Sequence, residues 1–377
     1  MVVCKDCRRT WPAARNVATC LLGILLLATD LAHGQGARQR ERRRAGQPRR
    51  LLVMTSLPTF AAIARQLTGD LAEVEAIARG DQDPHYVQPR PSYAAKLGRA
   101  DLFVSTGLDL EMWAPAVIDR ANNPRVVEGE DGNVIVYPGV KLLEVPEDLS
   151  RAGGDVHAFG NPHVHTDPVN AIIIAENILR SLERIDPANT ESYEANYRDF
   201  KDRVMRRLFG DQLVEMLGAD AIFQLARNYE FWDFVRNQSF QGRPLTDYLG
   251  GWLAEGAAFR GRRMACYHKN WAYFGARFQV ECAVFIEPRP GIPPSPRHLA
   301  EVVGTMRDEH IPVLMAANYF SHSQVEQVAS RTGARAVIVP LDVQGAEGVD
   351  TYFDLVDLWV SSLSEAFLAT DRNENQE

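Results

Sequence analysis

Apolar and polar positions alternate between two periods along most of this chain. Arg50 to Thr55 (RLLVMT) is a short apolar run, and Ser56-Leu57-Pro58 then supplies a capping hydroxyl and an early proline. The spacing predicts a helix over Thr59 to Leu67, stopped at Gly69, and a second strand over Glu73 to Ile77. Pro91-Ser92 opens a helix to Arg99, Asp101 to Ser105 (DLFVS) reads as a strand, and a helix follows near Leu110 to Arg120. Val127 to Gly160 reads as loop. Asp167-Pro168 starts another helix, and Asp186-Pro187 punctuates it. From about Asn189 to Leu208, Tyr193, Tyr197, Phe200, Val204 and Leu208 recur at three-to-four spacing. That is a helix of about 30 Å, long enough to bridge two lobes.

After a helical insert over residues 211–259, the alternation resumes. Strands are expected at Arg262 to Tyr267, Cys282 to Glu287, Ile311 to Ala316 and Ala336 to Leu341. Helices are expected at Asn270 to Phe278, Ser295 to Asp308, Ser321 to Thr332 and Asp350 to Leu368. Strand–helix alternation of this kind predicts an α/β fold with parallel sheets and helices on both faces, in two β/α units.

The first 50 residues depart from this pattern. Lys5, Arg8, Arg9 and Arg15 precede the apolar run Cys20 to Ala28, and small residues follow at Ala32 and Gly34. This reads as a secretory signal peptide over residues 1–34, with a retained membrane anchor as the alternative. Residues 35–50 read as a basic linker. Residues 1–50 carry 11 basic and 3 acidic side chains, so the remaining 30 basic and 46 acidic side chains leave the body at −16. An acidic body argues against nucleic acid as a partner. Cys4 and Cys7 fall inside the expected leader. Of the cysteines beyond it, Cys266 and Cys282 either pair in an oxidising compartment or sit in strands that never meet.

The body holds histidines at 85, 157, 163, 165, 268, 298, 310 and 322. His85, His163, His165 and His268 fall past predicted strands or just before helices, where open α/β sheets place ligands. Asp342 follows the last predicted strand. Neutral imidazole suits Zn²⁺, and one carboxylate completes a four-coordinate shell. Each histidine alone has an ordinary reading as a surface or hydrogen-bonded residue, and His298, His310 and His322 keep it. His85 lies in DQDPHYVQPRPS, where prolines restrict the backbone on both sides.

Three stretches carry a family likeness. Gly80 to Trp113 (GDQDPHYVQPRPSYAAKLGRADLFVSTGLDLEMW) resembles the first signature of the substrate-binding proteins of zinc and manganese ABC importers, cluster A-I. Gly160 to Asn170 (GNPHVHTDPVN) resembles the second. Cys266 to Phe274 (CYHKNWAYF) and Ile286 to His298 (IEPRPGIPPSPRH) resemble the third.

The resemblance implies two β/α lobes joined by one long rigid helix, with metal in the cleft between them. The expected division is a first lobe at 51–185, a connecting helix at 186–210 and a second lobe at 211–377. It implies His85, His163 and His268 as ligands, with Asp342 as the best match for the fourth; Glu287 or a water are the alternatives. His165 stands where the family usually has an aromatic, as a spare ligand or a wall of the cleft. The long His-rich loop of many zinc members is absent: the acidic stretch Val127 to Gly160 carries only His157. The implied activity is periplasmic capture of Zn²⁺ and delivery to an ABC permease by a monomer, without enzymatic chemistry. A periplasmic metallochaperone is a further candidate partner. The competing readings are a carrier of manganese or another divalent metal, a zinc-dependent hydrolase with Glu287 as base, and a metal-free adhesin or scaffold. No H-E-x-x-H run, nucleophile elbow or phosphate loop supports an enzyme.

Overall fold

Two four-stranded parallel sheets organise the chain, and both wind the same way. The computed structural model describes residues 50–146, 157–287 and 292–374. The expected leader and nearly all of the expected basic linker lie outside the described residues. The first sheet is built from β1 (Leu51–Thr55), β2 (Ala72–Ala76), β3 (Leu102–Ser105) and β4 (Asn133–Ile135), in the order β2-β1-β3-β4. Around it lie α1 (Pro58–Thr68), α2 (Pro91–Leu97), α3 (Ala114–Ala121) and α4 (Pro168–Ile185). Then come α5 (Thr190–Phe209), α6 (Asp211–Leu217), α7 (Ala219–Arg227) and α8 (Phe231–Asn237). A minimal antiparallel pair follows, β5 (Ser239–Phe240) with β6 (Arg243–Pro244), and then α9 (Gly251–Glu255).

The second sheet contains β7 (Arg263–Cys266), β8 (Glu281–Phe285), β9 (Val313–Ala317) and β10 (Arg335–Val339), in the order β10-β9-β7-β8. Its helices are α10 (Ala272–Phe278), α11 (Pro296–Asp308), α12 (His322–Thr332) and α13 (Tyr352–Glu374). In each sheet the first strand lies between the second and the third. Each sheet therefore has a point where the winding reverses, between β1 and β3 and between β7 and β9, and ligands of open α/β sheets gather at the carboxyl ends there. Among the described residues no helix is long and apolar enough to cross a membrane.

The central strands explain themselves by burial. β3 and β9 are buried at every position, as continuous apolar runs in parallel sheets are when helices cover both faces. The edge strand β4 was not expected from the sequence, because three residues are too few to show a period. α4 starts as expected, with Asp167 accepting from the Val169 N–H and Pro168 in the first turn. Ser295 likewise accepts from the His298 N–H at the start of α11. Ser56 does not cap α1. Leu57 occupies the cap position, and the Ser56 hydroxyl donates to Glu111 Oε1 at 2.6 Å.

Glu111 is buried and also accepts from the Thr106 N–H, so it ties the ends of β1 and β3 together. Burial raises its pKa, against the opposing hydrogen bonds from Ser56 and Thr106. A carboxyl whose folded-state pKa is raised stabilises the fold most below its unfolded-state pKa, and that contribution is lost as pH rises through the folded value. Glu111→Gln is expected to flatten this dependence and to match or exceed the wild type in urea midpoint at neutral pH. Glu111→Ala is expected to lose about 1–3 kcal/mol, because buried donors are left unpaired.

α5 runs for 20 residues, about 30 Å, and buries Tyr193, Phe200, Val204 and Leu208. It packs on α1, α4 and α9, and α9 in turn packs on the Tyr352–Glu374 helix of the second sheet. It ends where Gly210, at φ 87°, touches Gly250: a Cβ at 210 would fall 2.4 Å from the Gly250 Cα. Only glycine fits there.

Cys266 and Cys282 form a disulfide between β7 and β8, which settles the alternative left open by the sequence. The bridge closes a 16-residue separation. Replacing both cysteines with alanine is expected to cost about 3 kcal/mol, the loop-closure value for that length. The check is the urea midpoint of the double variant under non-reducing conditions.

Candidate metal centre

The residues singled out in the sequence all follow strand carboxyl ends. His85 lies beyond β2, His163 beyond β4, His268 beyond β7, Glu287 beyond β8 and Asp342 beyond β10. The structure brings three of them together. One ring nitrogen each from His85, His163 and His268 lies within 4.8 Å of the other two.

The first two histidines are held by the same device. In Asp83-Pro84-His85, Asp83 Oδ1 accepts from the His85 N–H at 3.0 Å and lies 2.8 Å from its Nδ1. In Asn161-Pro162-His163, Asn161 Oδ1 accepts from the His163 N–H at 2.9 Å and lies 2.9 Å from its Nδ1. A short polar side chain thus caps the backbone and orients the ring two residues later, and the proline between them narrows the turn. With the Nδ1 proton held this way, Nε2 carries the lone pair and is the metal-ready atom. Proline on both sides of His85 is one half of this arrangement; the residue before the proline is the other. Trp113 Nε1 donates to the Pro84 carbonyl at 2.9 Å and anchors the turn.

His268 comes from the second lobe, directly after β7. Its Nδ1 stands 3.6 Å from Glu287 Oε2, an ion-pair distance longer than a hydrogen bond. Among the described residues, neither nitrogen of His268, nor Nε2 of His163, has a hydrogen-bond partner, although all three atoms are buried. Buried polar atoms are almost always satisfied, and a cluster of orphaned lone pairs facing one another calls for a cation. Burial pushes the His163 pKa well below the ordinary value, with repulsion from His85 and His268 adding to it. Burial, then His85, takes His268 down to about 3. Both rings are therefore neutral at pH 7, the state that binds metal.

Asp342 is not brought into this group. Its buried carboxylate accepts from Thr59 Oγ1 at 2.5 Å and faces His165. His165 is fully buried against the edge of Phe60 and likewise stands outside the mutually close set. The loop that carries Asp342 presses on the loop that carries His85. A Cβ on Gly80 would fall 2.3 Å from the Val343 carbonyl, so the two backbones meet without room for a side chain.

His157 was passed over in the sequence because it stood alone in an acidic stretch. In the structure its Nε2 is 3.3 Å from His85 Nε2, and its ring centre is 6.2 Å from that of His163. It follows no Asx-Pro pair, so the signal that marks the other two was missing.

Comparison with known proteins comes to the same type of molecule. The family described as ZnuA, zinc-uptake complex component A, periplasmic, matches residues 53–206 and 246–366. The iron-binding protein YfeA of Yersinia pestis is 24% identical over 328 residues, which span 84% of this chain and 86% of that protein. The zinc-binding lipoprotein AdcA of Streptococcus pneumoniae is 32% identical over 146 residues, 38% of this chain and 28% of that protein. The manganese ABC transporter substrate-binding lipoprotein PsaA of Streptococcus mitis is 29% identical over 161 residues, 42% of this chain and 50% of that protein. The chain thus spans about half or less of these two lipoproteins. Among solved structures, a crystal structure of ZnuA superposes with a TM-score of 0.60 at 19% identity, covering 85% of this chain and 100% of that one. A Mn-bound periplasmic metal binding protein from candidatus liberibacter asiaticus gives 0.59 at 20% identity, covering 84% of this chain and 100% of that one. At such identities the structures speak for the fold alone.

Proposed function

Since the chain belongs to the ZnuA family of zinc-uptake components, we propose that it captures one Zn²⁺ outside the cytoplasm and delivers it to an ABC-type permease, making and breaking no covalent bonds. The observation that carries this reading is the convergence of His85, His163 and His268 from two lobes, with buried nitrogens that no donor among the described residues satisfies. The relatives named above are described as binding iron, zinc or manganese, so the choice of metal rests on the donors. Imidazole nitrogen suits Zn²⁺, whereas Mn²⁺ prefers oxygen ligands and lies at the weak end of the affinity order. The disulfide supports an oxidising compartment.

The arrangement also supplies a release mechanism. His85 and His163 belong to one lobe and His268 to the other, so separating the lobes removes a ligand. A nanomolar site is worth about 12 kcal/mol, and docking on the permease must offset that by opening the cleft. Metal-free protein offered equal Zn²⁺, Mn²⁺ and Fe²⁺, desalted and analysed for metals, is expected to retain one zinc per chain. Retention of manganese or iron in place of zinc overturns the metal choice, and retention of none overturns the carrier.

A further inference from the structure

We propose that His157 is a fourth nitrogen donor to the ion, so that the site is closed by four imidazoles. This inference rests on the carrier reading above and adds a ligand to it. Four features carry it. First, the two facing Nε2 atoms of His157 and His85 are 3.3 Å apart. Two nitrogens bound to one tetrahedral Zn²⁺ at about 2.0–2.1 Å are necessarily about 3.3–3.4 Å apart. Second, His85 Nδ1 is committed to Asp83, so the atom His85 turns toward His157 is its lone-pair nitrogen. Third, ring centres are 5.3 Å apart for His85–His157 and His85–His163, 5.8 Å for His85–His268 and His163–His268, and 6.2 Å for His157–His163. Four imidazoles on a tetrahedral ion stand with their centres about 5 Å apart; His157 stands outside the set of three whose nitrogens lie within 4.8 Å of one another, and it reaches the shell from the His85 side. Fourth, His157 is buried and its carbonyl is engaged. Its carbonyl accepts from the Gly160 N–H at 3.3 Å, and the Asn161 N–H donates to the Leu143 carbonyl at 2.9 Å. The turn that positions His157 therefore runs straight into Asn161, the residue that orients His163.

The consequence is selectivity. With His157 in the shell, all four donors are neutral nitrogens. Carboxylate is then not a ligand, which sharpens preference for Zn²⁺ over oxygen-seeking Mn²⁺. Asp342 is left to its contacts with Thr59 and His165.

The test uses Co²⁺ as a spectroscopic stand-in for zinc in the full chain, with four proteins: wild type, His85→Ala, His157→Ala and His157→Cys. Wild type is expected to bind one Co²⁺ with the intense visible bands of a tetrahedral site. His157→Ala is expected to keep the one-to-one stoichiometry, lose band intensity as water enters the shell, and bind zinc about 10- to 100-fold more weakly. His157→Cys is expected to show a new sulfur-to-cobalt charge-transfer band in the near ultraviolet, which a merely structural residue would not give. If wild type binds and His85→Ala does not, while both His157 variants show the wild-type spectrum and affinity, this inference falls and the carrier reading stands. If wild type binds no Co²⁺ or Zn²⁺, both fall.

Discussion

Alanine at His268 is expected to lower zinc affinity by about 100-fold or more, while alanine at His310 leaves it unchanged. Loss of a residue that only orients a ligand costs about 10- to 100-fold, so loss of a ligand sets the upper end of that scale. His268 is the member of the close set that the second lobe contributes, and its ring is buried with neither nitrogen hydrogen-bonded among the described residues. Without it, His85 and His163 still face the cleft, but nothing in that set draws the second lobe onto the ion. His310 is exposed in the turn after α11, far in sequence from any ligand strand end, and serves as the control. Competition titration against a chelator of known zinc affinity reads both variants. Indistinguishable curves for the two would contradict the assignment.

The second large effect is expected at Arg277. Its Nε and one terminal nitrogen each reach an Asp167 carboxylate oxygen at 2.8 Å, and both side chains are almost fully buried. Burial works against the charge on Arg277, yet the Asp167 carboxylate beside it raises its pKa above the ordinary value. The pair joins the start of α4, just past His163, to α10, just past His268. It thus ties two helices whose preceding turns carry candidate ligands. Arg277→Met leaves Asp167 buried without its cation and is expected to cost about 3–5 kcal/mol. Adding Asp167→Asn to that variant is expected to recover part of the loss, because the stranded charge is removed while the cap on α4 is kept. Urea unfolding of the single and double variants measures this. A loss below about 1 kcal/mol for Arg277→Met would show that the pair is not a structural tie.

Much of the fold was legible because its signals are local. The buried runs at β3 and β9, the Asp167-Pro168 cap and the five apolar positions of α5 each announce themselves within a few residues. Boundaries moved by one or two residues in most elements, and α13 extends six residues past Leu368 because its last turns are too polar to sustain the apolar period. The β4 strand escaped notice through its length. The restricted backbone at His85 was legible in its flanking prolines, whereas the orienting role of Asp83 and Asn161, each two residues before its histidine, was not. His157 follows no Asx-Pro pair. Asp342 shows the reverse problem: its position after a strand suggested a ligand, while the structure turns its carboxylate to Thr59. Sequence position reported the right end of the sheet but not the direction of the side chain. The cysteine pair was undecided for the same reason, because the β7–β8 adjacency that joins them is a matter of strand order.

The most direct test is anomalous diffraction at the zinc absorption edge from crystals of the zinc-loaded protein. One peak is expected about 2.0–2.1 Å from a ring nitrogen of each of His85, His163 and His268. A peak elsewhere, such as between His165 and Asp342, or no peak in protein that carries stoichiometric zinc, would contradict the account.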